Sequence, residues 1–197
     1  MNKEQNPMAT GERENKMPRR AGDRVRSVCQ IAMAVAVMAV CAFITVPLSA
    51  VPFTMQTFGL FLSLLLLGGR RGTAAVAAYL ALGAAGAPVF SGFRGGAAVL
   101  IGPTGGYLFG FLAVALLYLL LEKVCRGRLF FQSLVLAGGL CLCYACGTLW
   151  FVHLTARTAP EALLLWVAPY VVPDLLKLYL SCFVAGRVFR SLGRARY

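Results

Sequence analysis

The chain has 197 residues, of which 59% are hydrophobic and 13% are charged, and its formal net charge is +12. Soluble domains carry about 25% charged residues, so this chain has too few polar side chains to cover a water-facing surface. The basic residues lie in short clusters between apolar runs. The composition therefore excludes an ordinary soluble enzyme, a disordered protein and a nucleic-acid-binding protein, and it predicts an all-α integral membrane protein.

Six apolar segments follow a polar N-terminal stretch. Residues 1–26 predict a disordered basic tail, residues 27–190 a membrane domain and residues 191–197 a second basic tail. The second and third segments are shorter than the roughly 20 residues of a straight span. They form either a re-entrant hairpin or spans completed by their flanking loops. The predicted spans are residues 28–46, 57–67, 73–87, 105–121, 130–154 and 163–188.

The distribution of basic residues predicts the orientation. Sixteen of the 19 Lys and Arg residues lie before the first span, at or beyond the C-terminal end of the last span, or in the second–third and fourth–fifth connections. All of these segments fall on one side of the membrane if there are six spans. Arg94 and Arg157 fall on the other side, and Lys177 lies within the sixth span. Because basic loops stay in the cytoplasm, we expect six crossings of the cell membrane with both termini cytoplasmic.

Two charged residues, Asp174 and Lys177, lie in the middle of the sixth span, in the run VVPDLLKLYL. Residues three apart on a helix share a face and can pair, and Pro173 predicts a helix break just before Asp174. A charge in hydrocarbon costs at least about 2.5–3.5 kcal/mol. We therefore favour a pair that contacts a ligand in an enclosed pocket, and the alternative is an ion pair that only locks two helices.

The two predicted outward loops carry polar side chains among aromatic residues. The first, VPLSAVPFTMQTFG, offers Thr54, Gln56 and Thr57, which suit an uncharged polar ring better than an ion. A helix-capping turn is the alternative there. The second loop carries Arg94, which meets either the carboxylate of an anionic ligand or the outer lipid head groups.

Glycine and cysteine spacings are interpreted mainly as packing. For Gly110 we expect close helix packing, whereas residues 103–106, where Pro103 prevents a regular helix, are expected to approach a ligand. The spacing C-x-C-x-x-C at residues 141–146 indicates small apolar residues rather than a metal site. The sequence has no G-x-x-x-x-G-K-[ST] motif for ATP, and it predicts no catalytic residue, no metal and no cofactor.

Several segments together resemble the BioY family, the biotin-specific substrate-binding (S) components of energy-coupling factor (ECF) transporters. They are, in order, VPFTMQT, LLLGGRRG, YLALGAAGAPVF, GGAAVLIGPTGGYLFGF, YACGTLWF and VPDLLK. The resemblance implies an S-component fold with an outward-facing biotin pocket between the outer ends of spans four to six and the two outward loops. It also implies a T component and a pair of ATP-binding subunits as partners, besides membrane lipid. Ala32 and Ala36 match the small residues through which the first span docks onto those partners.

The resemblance also assigns site residues. We expect Asp174 to accept a hydrogen bond from a ureido N–H of biotin, while Lys177 lies near the ureido oxygen or balances Asp174. After Phe90 the chain has Ser91, where some relatives carry an amide. The other predicted substrate-binding residues are Thr54, Gln56 and Tyr144 at the ring, Arg94 at the valerate carboxylate, Phe53, Phe90 and Trp150 as apolar walls, and Tyr107.

Other functions would leave other signatures in the sequence. An S component for riboflavin or thiamine is the alternative within the same class. A membrane enzyme should carry a second cluster of acid, base or metal-ligating residues, and a structural subunit would not need a charged pair beside glycine-rich loops. The sequence therefore favours a biotin S component that is not itself an enzyme.

Overall fold

The computed structural model describes residues 21–46, 53–125, 128–155 and 158–191, and most of them are helical. Two two-residue strands, β1 (Thr45–Val46) and β2 (Phe53–Thr54), pair antiparallel between the first two helices, and Ser91–Phe93 form a 3₁₀ turn. The helices are α1 (Ala21–Phe43), α2 (Gln56–Ala84), α3 (Ala97–Ile101), α4 (Gly105–Leu121), α5 (Leu129–Thr155), α6 (Ala159–Trp166) and α7 (Ala168–Ser191).

The first helix begins earlier than the sequence suggests. α1 starts at Ala21, seven residues before the predicted start of the first span, so the last six residues of the predicted tail are helical. Asp23 lies in the first turn, where its negative charge is favourable near the helix N-terminus. The rest of that tail, the connection at residues 47–52, Arg157 and residues 192–197 lie outside the described residues.

α2 is a helical hairpin. Gly68 interrupts it with φ 78° and ψ 172°, a conformation that is essentially restricted to glycine. The side-chain amide of Gln56 donates a hydrogen bond of 2.7 Å to the hydroxyl of Tyr79, although 23 residues of straight helix would separate them by about 35 Å. The halves 56–67 and 69–84 therefore lie side by side and antiparallel, and they correspond to the predicted second and third spans.

Several helices have the length and composition of membrane spans. In the described part of the chain, three helices are long and apolar enough to cross a membrane, namely those over residues 22–43, 56–84 and 129–155, and α4 is an apolar helix of 17 residues. α4 coincides with the predicted fourth span, and α5 extends the predicted fifth span by one residue at each end. The prediction of a mostly helical fold with membrane-capable helices is confirmed.

The predicted sixth span is divided into two helices. α6 ends at Trp166, Val167 has φ −117° and ψ −52°, and α7 begins at Ala168. The prediction of a break at Pro173 is wrong, because α7 runs through this residue. Pro173 is the sixth residue of α7, so its missing N–H removes one of the earliest hydrogen bonds of the helix and leaves the later turns intact.

The core is formed by α1, both halves of α2, α4, α5 and α7. Its largest fully buried side chains include Met38, Phe61, Tyr79 and Leu136. α4 and α5 approach each other closely at Gly110, where an added Cβ atom would lie 2.7 Å from the Sγ atom of Cys143. The prediction that Gly110 serves helix packing is confirmed. This packing holds the ends of α2, α4, α5 and α7 around one cavity.

Candidate functional site

A cavity lies at the end of the helix bundle where α2 begins. Together with its opening to solvent it encloses about 750 Å³ between protein atoms. Its lining combines one acid, two bases, neutral polar groups and a majority of apolar and aromatic side chains. The lining residues are Phe53, Thr54, Gln56, Thr57, Phe90, Ser91, Arg94, Val99, Thr104, Tyr107, Leu108, Phe111, Leu140, Cys143, Tyr144, Tyr170, Asp174 and Lys177.

The acid in the cavity wall is Asp174, which is only 5% exposed. Its Oδ1 atom accepts from the ammonium group of Lys177 at 2.7 Å and from the hydroxyl of Thr57 at 2.9 Å. Its Oδ2 atom accepts from the hydroxyl of Tyr144 at 2.7 Å. A carboxylate offers about four acceptor positions, so Oδ2 can accept one further hydrogen bond from a ligand.

Lys177 is equally buried, at 5% exposure, and its ammonium group has three neighbours. It donates to Asp174 and, at 2.7 Å, to the backbone carbonyl of Thr54. It also lies 3.9 Å from the centroid of the Phe53 ring, a cation–π contact. The Phe53 ring in turn stacks on Tyr170 at 6.2 Å. Of the two predicted roles, these contacts favour the one in which Lys177 balances the charge of Asp174.

The ion pair also connects separate elements of the fold. Asp174 and Lys177 on α7 bond to Thr57 on α2, Tyr144 on α5 and the β2 carbonyl of Thr54. The alternative interpretation, in which the pair locks helices together, therefore describes part of its role. The same two side chains line the cavity, so locking and ligand contact are compatible.

Gln56 links the two halves of α2 at the cavity. Its carbonyl oxygen accepts from the hydroxyl of Thr54 at 3.1 Å, and its amide nitrogen donates to Tyr79 at 2.7 Å. Tyr79 then donates to the carbonyl of Val89 at 2.8 Å. A side-chain amide has two N–H groups, so the second N–H of Gln56 can serve a ligand.

The open side of the cavity carries Arg94, which is exposed. Its Nε–H donates to the backbone carbonyl of Ser91 at 3.2 Å, and both residues line the cavity. This bond uses one of the five N–H groups of the guanidinium. Arg94 is therefore placed to meet an anionic group at the mouth.

Among the predicted substrate-binding residues, all but Trp150 line the cavity. Trp150 lies outside this lining: its indole N–H donates to the carbonyl of Gly102 at 3.0 Å, and its ring centroid lies 5.8 Å from that of Phe109. Trp150 instead connects α5 to the segment that precedes α4. The indole N–H of a buried Trp needs such a partner, and sequence alone does not say which carbonyl supplies it.

The glycine-rich segment before α4 contributes Thr104 to the cavity lining. The expectation that its glycines approach a ligand is wrong for Gly105 and Gly106. An added Cβ atom would overlap the carbonyl of Leu100 at Gly105 and the side chain of Trp150 at Gly106. These two glycines make room for protein atoms.

The structure also adds lining residues that were not predicted as substrate-binding. Thr57, which the sequence marks as a polar loop residue, supports Asp174 directly. Helical spacing would have found two others, since residues four apart share a helix face. Tyr170 lies four residues before Asp174 and Leu140 four residues before Tyr144. The remaining additions are Ser91, Val99, Thr104, Leu108, Phe111 and Cys143.

The three cysteines of the C-x-C-x-x-C spacing occupy different environments on α5. Cys141 is exposed, Cys143 is buried and lines the cavity, and Cys146 is half-buried. Among the described residues, no group of three or more His, Cys, Asp or Glu side chains is placed to hold a metal ion.

Comparisons with known proteins agree with this architecture. A sequence profile of the BioY family matches residues 11–194. The chain is 40% identical to the biotin transporter BioY of Thermotoga maritima, over 83% of this chain and 96% of that one. It is 34% identical to a probable biotin transporter BioY of Pyrococcus horikoshii, over 84% and 97%.

Among solved structures, the fold is similar to the crystal structure of an S-component for biotin from an ECF-type ABC transporter. The TM-score is 0.77 at 26% sequence identity, and the match covers 86% of this chain and 94% of the other. On the evidence of the family profile and of relatives matched over nearly their whole length, the chain belongs to the BioY family.

Proposed function

We propose that the chain is the substrate-binding subunit of a biotin uptake transporter, which captures biotin outside the cell and delivers it inward with an energy-coupling module. Support comes from the family, from relatives named as biotin transporters, and from the similar structure, which is an S-component for biotin. BioY proteins are transporter components rather than enzymes. The composition of the cavity carries the proposal for this chain.

The chemistry of biotin fits the cavity lining. Its ureido ring is uncharged and has two N–H donors and one strong acceptor, and its thioether ring and valerate chain are apolar. The remaining acceptor position on Asp174 suits a ureido N–H, and the second N–H of Gln56 suits a ureido or ring acceptor. Aromatic walls such as Phe53, Phe90 and Tyr107 suit the apolar part of the ligand.

The valerate carboxylate is assigned to Arg94. Arg94 is the exposed cation of the cavity lining, whereas Lys177 is buried and already paired with Asp174. A guanidinium binds a carboxylate with charge-assisted hydrogen bonds that are stronger than neutral ones. The ligand would then enter with its ring inward and its carboxylate near the mouth.

We infer that the chain crosses the cell membrane six times, through α1, the two halves of α2, α4, α5 and α7. The hairpin at Gly68 returns α2 to the side where it starts, and Arg70 and Arg71 follow the bend. Sixteen of the 19 basic residues then lie on the cytoplasmic side, with both termini. The halves of α2 are shorter than a straight span, so β2 and the loop after Ala84 complete the crossings.

The energy for uptake would come from partner chains. Ala32 and Ala36 are exposed and one turn apart on α1, which permits close approach of a partner helix. We propose this face as the docking site for the T component, which carries the ATP-binding subunits. The apolar exposed faces of α1, α5 and α7 would contact lipid in the absence of partners.

Ligand titration of the purified protein tests the proposed function. Protein from cells grown without biotin is titrated separately with biotin, riboflavin and thiamine, and binding is followed by calorimetry. We expect saturable binding of biotin at one site per chain and no comparable binding of the other two. Thiamine is a cation and would meet Arg94 at the mouth. Preferential binding of riboflavin or thiamine would overturn the assignment to biotin.

A further inference from the structure

The loop that carries Arg94 makes a turn for which Phe93 is poorly suited. Gly92 has φ 69° and ψ 31° and Phe93 has φ 57°, and the turn is closed by a 2.9 Å hydrogen bond from the N–H of Phe90 to the carbonyl of Arg94. Positive φ at two successive residues lies in the left-handed region, which favours Gly, Asn and Asp. In the described parts of the chain, Phe93 is the one non-glycine residue at positive φ. A bulky residue held there is strained.

The Phe93 ring has a specific partner on another element. It stacks on Phe43, the last residue of α1, with ring centroids 4.2 Å apart and an angle of 20° between the ring planes. Phe93 is nevertheless 65% exposed, so burial in the core does not explain an aromatic residue at this position. The stack on α1 is the interaction that the strained turn makes possible.

A hydrogen bond beside the stack fastens the same loop to Thr45 of β1, two residues after the end of α1. The hydroxyl of Thr45 donates to the carbonyl of Ala42 at 2.6 Å, so it accepts from the hydroxyl of Ser91 at 3.1 Å. Ser91 is buried, and its backbone carbonyl receives the Nε–H of Arg94. The contacts to α1 and β1 therefore set the position of the backbone group that orients the guanidinium.

We propose that Phe93 and Phe43 are positioning residues for Arg94, and that their stack gives the site its selectivity for a ligand with a free carboxylate. The proposal rests on the proposed function, because it takes biotin as the ligand and Arg94 as the contact of its carboxylate. It predicts that the selectivity for biotin over a biotin ester depends on two aromatic residues that belong to the loop and to α1. Neither Phe43 nor Phe93 lines the cavity.

Phe93→Gly separates positioning from folding, because glycine suits the turn better than phenylalanine. The dissociation constants of biotin and of biotin methyl ester are measured for the wild type, Phe93→Gly, Phe43→Ala and Arg94→Gln. We expect the affinity of Phe93→Gly for the ester to be unchanged, and its affinity for biotin to fall about tenfold, as in Arg94→Gln. Phe43→Ala should behave in the same way.

Two controls sharpen the test. Phe183→Ala removes an aromatic side chain of comparable exposure on α7, outside the cavity, and it should keep the wild-type affinity for both ligands. The double variant Phe93→Gly/Arg94→Gln should lose no more biotin affinity than Arg94→Gln alone, because residues that act through one contact are not additive.

The outcomes separate this proposal from the proposed function. The positioning proposal is overturned if Phe93→Gly and Phe43→Ala keep the preference for biotin over the ester while Arg94→Gln loses that preference. It is also overturned if all three variants keep the preference. An equal loss of biotin and ester affinity in Phe93→Gly would indicate a structural role and would also overturn it. In each of these cases biotin binding by the wild type persists, whereas a wild type that does not bind biotin contradicts the proposed function itself.

Discussion

At the scale of single residues, the network around Asp174 explains how a charge is kept inside the bundle. The carboxylate has three hydrogen-bond partners, and the ammonium of Lys177 has two oxygen atoms and an aromatic face. A buried ion pair is often no more stable than well-packed apolar residues of the same volume. A function at the cavity therefore accounts for the pair better than stability does.

Trp150 should matter for stability and little for ligand binding. Trp150→Phe removes the N–H that bonds to Gly102 while it keeps an aromatic ring. We expect the free energy of unfolding to fall by about 1 kcal/mol and the dissociation constant of biotin to change less than threefold. Denaturant unfolding and titration measure the two quantities. A folded variant without biotin affinity would contradict the placement of Trp150 outside the cavity.

The site residues that could be predicted from the sequence are those whose chemistry is conspicuous in an apolar segment. Asp174, Lys177 and Gln56 are costly to bury without partners, so their presence already indicates an enclosed polar site. The role of Trp150 could not be predicted, because an indole suits a cavity wall and a hydrogen bond to a loop equally well. Its partner is a backbone carbonyl 48 residues away.

At the scale of the helices, α4 and α5 follow directly from uninterrupted apolar runs. The breaks are harder to predict, because they depend on backbone conformation. Gly68 is one of two adjacent glycines, and nothing in the composition says which of them takes φ 78°. Pro173 is a conspicuous helix breaker, yet near the start of α7 it costs few hydrogen bonds. The observed break at Val167 lies two residues before Pro169, which has no N–H to continue the hydrogen bonding of α6 and which stands in the first turn of α7, where a proline is tolerated.

Gly68 should be essential for the α2 hairpin. Gly68→Ala places a Cβ atom at φ 78° and ψ 172°, a conformation that costs a non-glycine residue about 1–3 kcal/mol. We expect a loss of stability of that size, measured as the free energy of unfolding in detergent. Gly138→Ala is the matched control, because this exposed glycine lies inside α5 with open space around it. That variant should be neutral or slightly more stable.

Equal stability of Gly68→Ala and the wild type would contradict the hairpin geometry. A loss in both variants would show that the membrane-embedded helices tolerate alanine poorly for another reason. The expected pattern is a loss of stability in Gly68→Ala and none in Gly138→Ala, because only Gly68 lies at the bend of the hairpin.

At the scale of the whole molecule, the charge distribution predicts the orientation in the membrane. Fusions of alkaline phosphatase, which is active only outside the cytoplasm, after residues 127 and 157 would report on the two ends of α5. We expect an inactive fusion after residue 127, which lies in the basic connection between the predicted fourth and fifth spans, and an active one after residue 157. The reverse pattern, or equal activity of the two fusions, would contradict the six-span topology.

The central claim is that the pair Asp174–Lys177 recognises the ligand in the cavity. Asp174→Ala or Lys177→Ala alone should lower biotin affinity tenfold or more, but each leaves a buried unpaired charge that costs about 3–5 kcal/mol and can reduce folding. Replacing both charges at nearly constant volume, in Asp174→Asn/Lys177→Met, avoids that penalty.

The most direct test is therefore a biotin titration of the wild type and of this double variant, with thermal unfolding recorded on the same samples. We predict a biotin affinity at least about tenfold weaker in the double variant and an unfolding temperature within a few degrees of the wild type. A double variant that is folded and binds biotin as tightly as the wild type would show that the pair only locks the helices, and it would contradict the account.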